Sequence, residues 1–239
     1  MIGKMIWYAA ILLIGAVTTA VQLDRQSAAT PTLAEFVPKP ARGFAQAQLA
    51  ARALQSGPSE LAVKEAELLV ERRPIPAEPL RLLAQAKFSA GQSEAGLLTI
   101  QIAARRGWRD PAAQETMLRL AIAAGDEAEA ARRYTALFLQ SGTQDALLVE
   151  LGATLFETTD GPAARTLIEI VSANDRWPDT FLRRGQRVLR PGTFVEIVGE
   201  AAWHGADFSC EILIDLGPSL TRRDTTAGKK WTELMQKHC

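Results

Sequence analysis

The sequence predicts an all-α chain, a solenoid of antiparallel helix pairs preceded by one transmembrane helix. Three observations predict it. A run of 19 residues without a formal charge lies between Lys4 and Asp24. Small and apolar residues then recur at intervals of 34 through the middle of the chain. No glycine-rich phosphate loop, nucleophile elbow, paired-histidine metal helix or calcium loop interrupts that pattern.

Residues 1–25 read as a transmembrane signal anchor. The uncharged run, MIWYAAILLIGAVTTAVQL at residues 5–23, reaches about 28 Å as a helix, close to the hydrocarbon thickness of a bilayer. Trp7 and Tyr8 stand near its start, where an aromatic belt would place them. Two other readings stay open. One is a cleaved secretory signal with Lys4 as its basic region and Thr18-Thr19-Ala20 as the cleavage site; the other is a buried soluble helix. Lys4 and the free amine favour an inside amino terminus, so either membrane reading exports the rest of the chain. Residues 26–42 read as a linker. The stretch Ser27–Gly43 carries three prolines and no helical stripe, which predicts a spacer holding the next domain away from the bilayer.

Residues 43–176 read as four helical repeats. Gly57, Gly91 and Gly125 are 34 apart, and Thr159 falls on the next multiple. Ala62, Gly96, Ala130 and Ala164 follow five residues later, and Leu49, Leu83, Met117 and Leu151 precede by eight. The next residue in each case is Ala50, Ala84, Leu118 or Gly152. Further columns are Ala66, Ile100, Tyr134 and Ile168, then Leu69, Ala103, Leu137 and Val171. Each turn glycine can take a positive φ where a helix stops, and the small residues beyond it let the second helix approach the first. The flanking apolar residues supply the buried stripe.

This pattern resembles the tetratricopeptide repeat family, most strongly in the second and third units. Leu83-Ala84 and Leu151-Gly152 look like its large-then-small pair. Ala62, Ala130 and Ala164 look like its small residue in the second helix, and Pro74 like its terminal proline. The chain departs from the family where an aromatic is expected near the start of each unit, with Gln46, Leu80, Gln114 and Leu148 there instead. Gly96 and Leu118 also depart from it. The resemblance implies that the first helices line a groove for a protein partner. Arg81 and Glu115 then share one row, Gln85 and Arg119 another, and Phe88 and Ile122 a third with Leu54 and Phe156. That third row either receives a partner's segment or packs inside the stack. The resemblance further implies complex assembly at a bacterial cell envelope, with the repeats in the periplasm.

Residues 177–239 read as a helical cap and a polar tail. Pro178–Leu189 suits a helix, Thr193–Gly205 suits a helix or a strand, and Pro218–Lys230 reads as a loop before a short terminal helix. Arg183, Arg184, Arg187 and Arg190 offer a basic stripe for an anionic partner or a solvated face. Trp108 and Trp177 read as plugs between repeats.

Composition bounds the function. The 239 residues leave room for one or two domains. Apolar residues make up 47% and charged ones 23%, and 27 basic side chains balance 27 acidic ones. Zero net charge argues against nucleic-acid binding and against a highly charged disordered chain. Two cysteines exclude a disulfide-stapled miniprotein. In an oxidising compartment Cys210 and Cys239 can close a disulfide; the other reading leaves both free. With His204 and His238 they are the Cys/His set, whose spacing fits no zinc pattern. No cofactor, metal or catalytic residue is assigned. The chain reads as a non-catalytic, membrane-anchored interaction scaffold, with self-association open. The alternatives are an enzymatic or metal-binding module at the carboxyl end and a self-associating structural protein.

Overall fold

The computed structural model describes residues 2–173 and 176–239. Met1, whose free amine enters the topology argument, lies outside them. The described residues form α-helices and short 3-10 turns with no strand. After α1 (Ile2–Ser27), twelve helices follow as six consecutive pairs: α2 (Phe44–Ser56) and α3 (Ser59–Arg72), α4 (Ala77–Ser89) and α5 (Ser93–Arg106), α6 (Pro111–Ala123) and α7 (Glu127–Phe138). They continue as α8 (Asp145–Leu155) and α9 (Pro162–Ser172), α10 (Pro178–Val188) and α11 (Pro191–Trp203), α12 (Cys210–Arg223) and α13 (Thr225–His238). The chain divides into two compact units, Met1–Ala113 and Gln114–Cys239.

Local chemistry explains where the helices begin and stop. Gly91 and Gly125 take φ of 74° and 71°, and the amides of Gln92 and Asp126 donate back to the Lys87 and Ala121 carbonyls at 2.9 Å. These are six-to-one closures that satisfy carbonyls left open at a helix end. Gly57 behaves differently, with φ −95° and ψ 170°. Pro58 follows it, and the residue before a proline is pushed to extended backbone. Pro162, Pro178 and Pro191 stand at the first turn of α9, α10 and α11, where a missing N–H costs nothing.

The columns read from the sequence are the packed ones. Ala62, Gly96, Ala130 and Ala164 are all buried, as are Ala66, Ile100, Tyr134 and Ile168. Gly96 departs from alanine for a steric reason. A Cβ there would lie 2.8 Å from the Phe88 ring, which fills the space a methyl would take. The start-of-unit column is also buried, and it pairs with the residue 19 positions later. Gln46 Nε2 donates to the Glu65 carboxylate at 2.6 Å, and Arg133 Nη1 donates to Gln114 Oε1 at 3.1 Å. Buried polar groups require such partners. At Leu148 the residue at that spacing is apolar, Leu167, and both are buried in one core cluster. Ala130→Leu should therefore overpack unit two and cost about 1–3 kcal/mol, read as a fall in the denaturant midpoint. The same exchange at exposed Ala146 should leave it unchanged.

The repeat step persists beyond the four expected units. First helices begin at residues 44, 77, 111, 145, 178 and 210, steps of 33, 34, 34, 33 and 32. The cap is thus two more pairs. Its regularity was hidden because α10 and α11 are joined by Leu189 and Arg190 alone, so the next multiple of the glycine series, Thr193, lies inside α11. Thr193–Gly205 is helical through Trp203, not a strand. The expected polar loop over residues 218–230 is helical too. Pro218 sits inside α12, where it leaves the Ile214 carbonyl without its usual donor; Ile214 is exposed, so water can serve. Asp224 then caps α13 by accepting from the amides of Thr226 and Ala227 at 2.8 and 3.0 Å.

In unit two, α7, α9, α11 and α13 pack in succession, and α8, α10 and α12 form a second row. A continuous file of rings runs through the core, Phe156–Tyr134–Phe138–Phe181–Phe194–Trp231, with centroids 5.1–6.3 Å apart. Such pairs add stabilisation beyond their buried area.

In unit one, α1 is apolar and exposed from Met5 to Val17 and is long enough to cross a bilayer. It is not a buried helix. Its last two turns enter the folded unit. Ala20 and Leu23 are half-buried and Asp24 and Ser27 are buried, a spacing that defines one helical face. Asp24 accepts from the backbone amides of Gly43, Phe44 and Ala45 at 2.8, 3.1 and 2.8 Å. It thereby supplies the cap that the first turn of α2 lacks from its own sequence. Residues 26–42 are consequently no spacer. Two 3-10 segments, Pro31–Phe36 and Lys39–Ala41, fold there, and Ala34 and Val37 are buried with Ala45 against Leu23, Ala41 and Leu49. The prolines that suggested an open linker instead start these turns.

Candidate functional site

The six expected groove residues fall three to each unit and do different work. In unit one, Arg81 is tied down. Its Nε donates to Asp110 Oδ2 at 3.2 Å, while Asp110 Oδ1 accepts from the Ala113 amide and caps α6. Both side chains are mostly covered, so this pair is a structural joint and not a contact surface. Phe88 lies over Gly96, whereas Gln85 is exposed. Of the third row, Leu54 and Ile122 pack against the cores of their units and Phe156 is fully buried; the row packs inward.

In unit two, Arg119 is the exposed member. Its guanidinium bridges Glu115 of its own helix at 3.0 Å and Glu150 of α8 at 3.2 Å. The hydrogen bonds that Arg119 donates to Glu115 and then to Glu150 hold it above its ordinary pKa. Half-exposed Val149 stands beside Glu150. The surface is therefore a charged strip of alternating sign.

The arginine stripe of α10 is largely consumed by the fold. Arg184 Nε donates to Asp145 Oδ1 at 3.0 Å, and its Nη atoms donate to the carbonyls of Phe138, Gln140 and Thr143. Arg187 donates to Asp145 Oδ2 at 3.0 Å. Burial opposes ionisation of Asp145, but the two arginines outweigh it and hold its carboxyl below the usual range. A site for anions on this stripe would have to break that clamp; Arg183 and Arg190 remain exposed.

Two of the clefts among the described residues gather charged side chains. One of about 430 Å³ in unit one lies between the first 3-10 segment, α2 and α3, with Glu35 paired to Arg52 across it and Arg42 and Glu65 in its walls. The other, about 540 Å³ in unit two, gathers Asp160, Glu169, Glu196 and Glu200 around Arg165 and His204. Glu196 is held below its ordinary pKa by hydrogen bonds from Thr159 and then Lys230.

At the carboxyl end a disulfide joins Cys210 and Cys239, with Cα atoms 5.8 Å apart, and ties the end of α13 to the start of α12. Both thiols are spent in that bond, so neither is available as a thiolate metal ligand. Among the described residues, no three His, Cys, Asp or Glu side chains are grouped to hold a metal ion. His204 is exposed at the end of α11 beside Gly205, whose φ is 92°.

Trp108 is not a plug, being half-exposed with Arg109 over its ring at 4.8 Å. The sequence reading also passed over Trp203, which is 78% exposed and edge-on to His204. A signal was available. Trp203 lies nine residues after buried Phe194, on the opposite side of a 100° helical wheel.

Comparison of the chain with protein-family models, with curated proteins and with solved structures finds no match.

Proposed function

We propose that this chain is a single-pass, membrane-anchored scaffold whose tetratricopeptide-like helix pairs recruit a protein partner at the bacterial cell envelope, with the repeats on the periplasmic side. The observation that carries the anchor is the surface of α1. It is apolar and exposed over more than three turns, a patch far larger than a water-soluble monomer leaves uncovered. The tetratricopeptide reading is supported by the buried small-residue columns and by the step of 32–34 residues kept through six pairs. The exported side is supported by the Cys210–Cys239 bond, since disulfides persist in oxidising compartments.

For partner recruitment, the strip Glu115–Arg119–Glu150 on α6 and α8 is the best-supported contact. It is exposed, and it carries polar groups that are not required to close a cap or a turn. Arg119→Glu should change stability by no more than about 0.5 kcal/mol, because the side chain is half-exposed and surface ion pairs contribute little. It should nevertheless reduce recovery of the partner when the tagged chain is purified from membranes in mild detergent. Undiminished recovery would move the contact elsewhere. Arg81 is unsuitable for that test, since reversing it also strips Asp110 of its partner. Resistance of the chain to alkaline carbonate extraction tests the anchor, and protease protection in spheroplasts tests the side.

A further inference from the structure

The way α1 enters unit one sets how close that unit stands to the bilayer. Its docked face begins at Ala20, three residues inside the uncharged run that ends at Leu23. Three residues correspond to about 4–5 Å of helix. Asp24, the residue directly after that run, holds the amides of Gly43, Phe44 and Ala45, so the start of α2 is bonded to the end of the apolar stretch. A spacer would separate the unit from lipid; this lock holds it at the hydrocarbon boundary.

The first 3-10 segment, which packs on α1, displays one large apolar side chain. Phe36 is 73% exposed, while Ala34 and Val37 on either side are buried at 0% and 1%. Arg42 fixes the backbone around it, donating from Nε to the Val37 carbonyl at 2.8 Å and from Nη2 to the Glu35 carbonyl at 3.3 Å. Ala34 and Val37 pack against Leu23 of α1, so the segment lies alongside the last turns of the apolar helix. Arg25 and Lys39, both exposed, flank this region in sequence.

We propose that Phe36 is a membrane-interface anchor: the Asp24 lock seats unit one against the bilayer, Phe36 enters the headgroup zone, and Arg25 and Lys39 reach lipid phosphates. This rests on the membrane-anchor reading above. A phenyl ring gains by burial at the boundary between headgroups and acyl chains, as apolar side chains of interfacial segments do, and cations placed there are attracted by anionic lipid. With the backbone around it already fixed, its entry orders little more of the chain.

Nitroxide labels on the full chain, in nanodiscs of phosphatidylcholine with a minority of phosphatidylglycerol, test this by relative accessibility to oxygen and to a water-soluble nickel chelate. The native cysteines are bonded to each other and do not label. Labels at Phe36→Cys, Leu12→Cys and Lys64→Cys should report the headgroup zone, the hydrocarbon and water respectively. Position 36 as wet as 64 with position 12 deep would overturn the Phe36 anchor and leave the transmembrane reading intact; position 12 in water would overturn both. Asp24→Ala, which removes the acceptor of three amides, should bring position 36 to the accessibility of 64 while 12 stays deep. An unchanged depth at 36 would show that the Asp24 lock does not seat the unit.

Discussion

Trp231→Ala should cost unit two about 3–5 kcal/mol, the usual range for deleting a buried large aromatic. Trp231 is fully buried at the end of the ring file, stacked on Phe194 at 5.5 Å and 22°. Its indole Nε1 also donates to the Leu213 carbonyl at 2.9 Å, so the alanine leaves both a cavity and a carbonyl short of a partner. Trp231→Phe should cost less, because it keeps the stacking and loses the hydrogen bond. Denaturant unfolding followed by circular dichroism gives both values. A cost below about 1 kcal/mol for alanine would mean that α13 is dispensable to the core. The disulfide supplies an internal comparison. Cys210→Ser with Cys239→Ser frees the end of α13, yet Trp231, eight residues earlier, should keep the helix docked.

Arg184→Met should be of similar size, about 3–5 kcal/mol. Methionine preserves much of the stem packing, so the loss isolates the guanidinium. That group gathers one carbonyl from the end of α7 and two from the loop before α8 together with the Asp145 carboxylate, and its side chain is only 12% exposed. Removing it leaves an acceptor set with no substitute donor on α10 except Arg187, which already holds Asp145. Arg184→Lys should recover only part, since an ammonium cannot span acceptors arranged for a planar fork.

The same clamp has a pH signature. Asp145 and Glu129 both have folded pKa values depressed below the unfolded ones. In Glu129, burial opposes the shift and hydrogen bonds from Arg132 and Arg133 overcome it. A depressed carboxyl contributes stability above its unfolded pKa, near 4, and that contribution is lost as pH falls through the folded value. The midpoint of unit two should therefore drop as pH goes below about 4. Asp145→Asn should flatten that slope while lowering the midpoint at neutral pH, and an unchanged slope would show that Asp145 carries none of it.

Several contacts that matter were not legible as periodicity. The buried glutamines illustrate the boundary. Gln46 and Gln114 stand in the aromatic column of the repeat, and their spacing was visible, but their partners sit on the following helix, 19 residues on. Polar residues in an apolar column look like departures until the partner is seen. Phe88 and Gly96 make the same point by shape: each looks irregular alone, and the ring fills the space that glycine leaves. Trp203 was legible and overlooked, since the helical register puts it opposite the buried face of α11.

By itself, the sequence determined the all-α class, the helical repeat and its 34-residue step, the buried columns and the apolar amino-terminal helix. Each follows from spacing within about one helical turn or one repeat, where side-chain direction is set by local geometry. Tertiary structure alone decided that Asp24 reaches across about twenty residues to cap α2, that Arg184 gathers carbonyls 41–46 residues away, and that residues 26–42 lie against α1. Such contacts join a side chain to backbone groups, and a backbone amide or carbonyl has the same chemistry at every position. No sequence pattern marks which of them a distant carboxylate or guanidinium will find until the helices have packed.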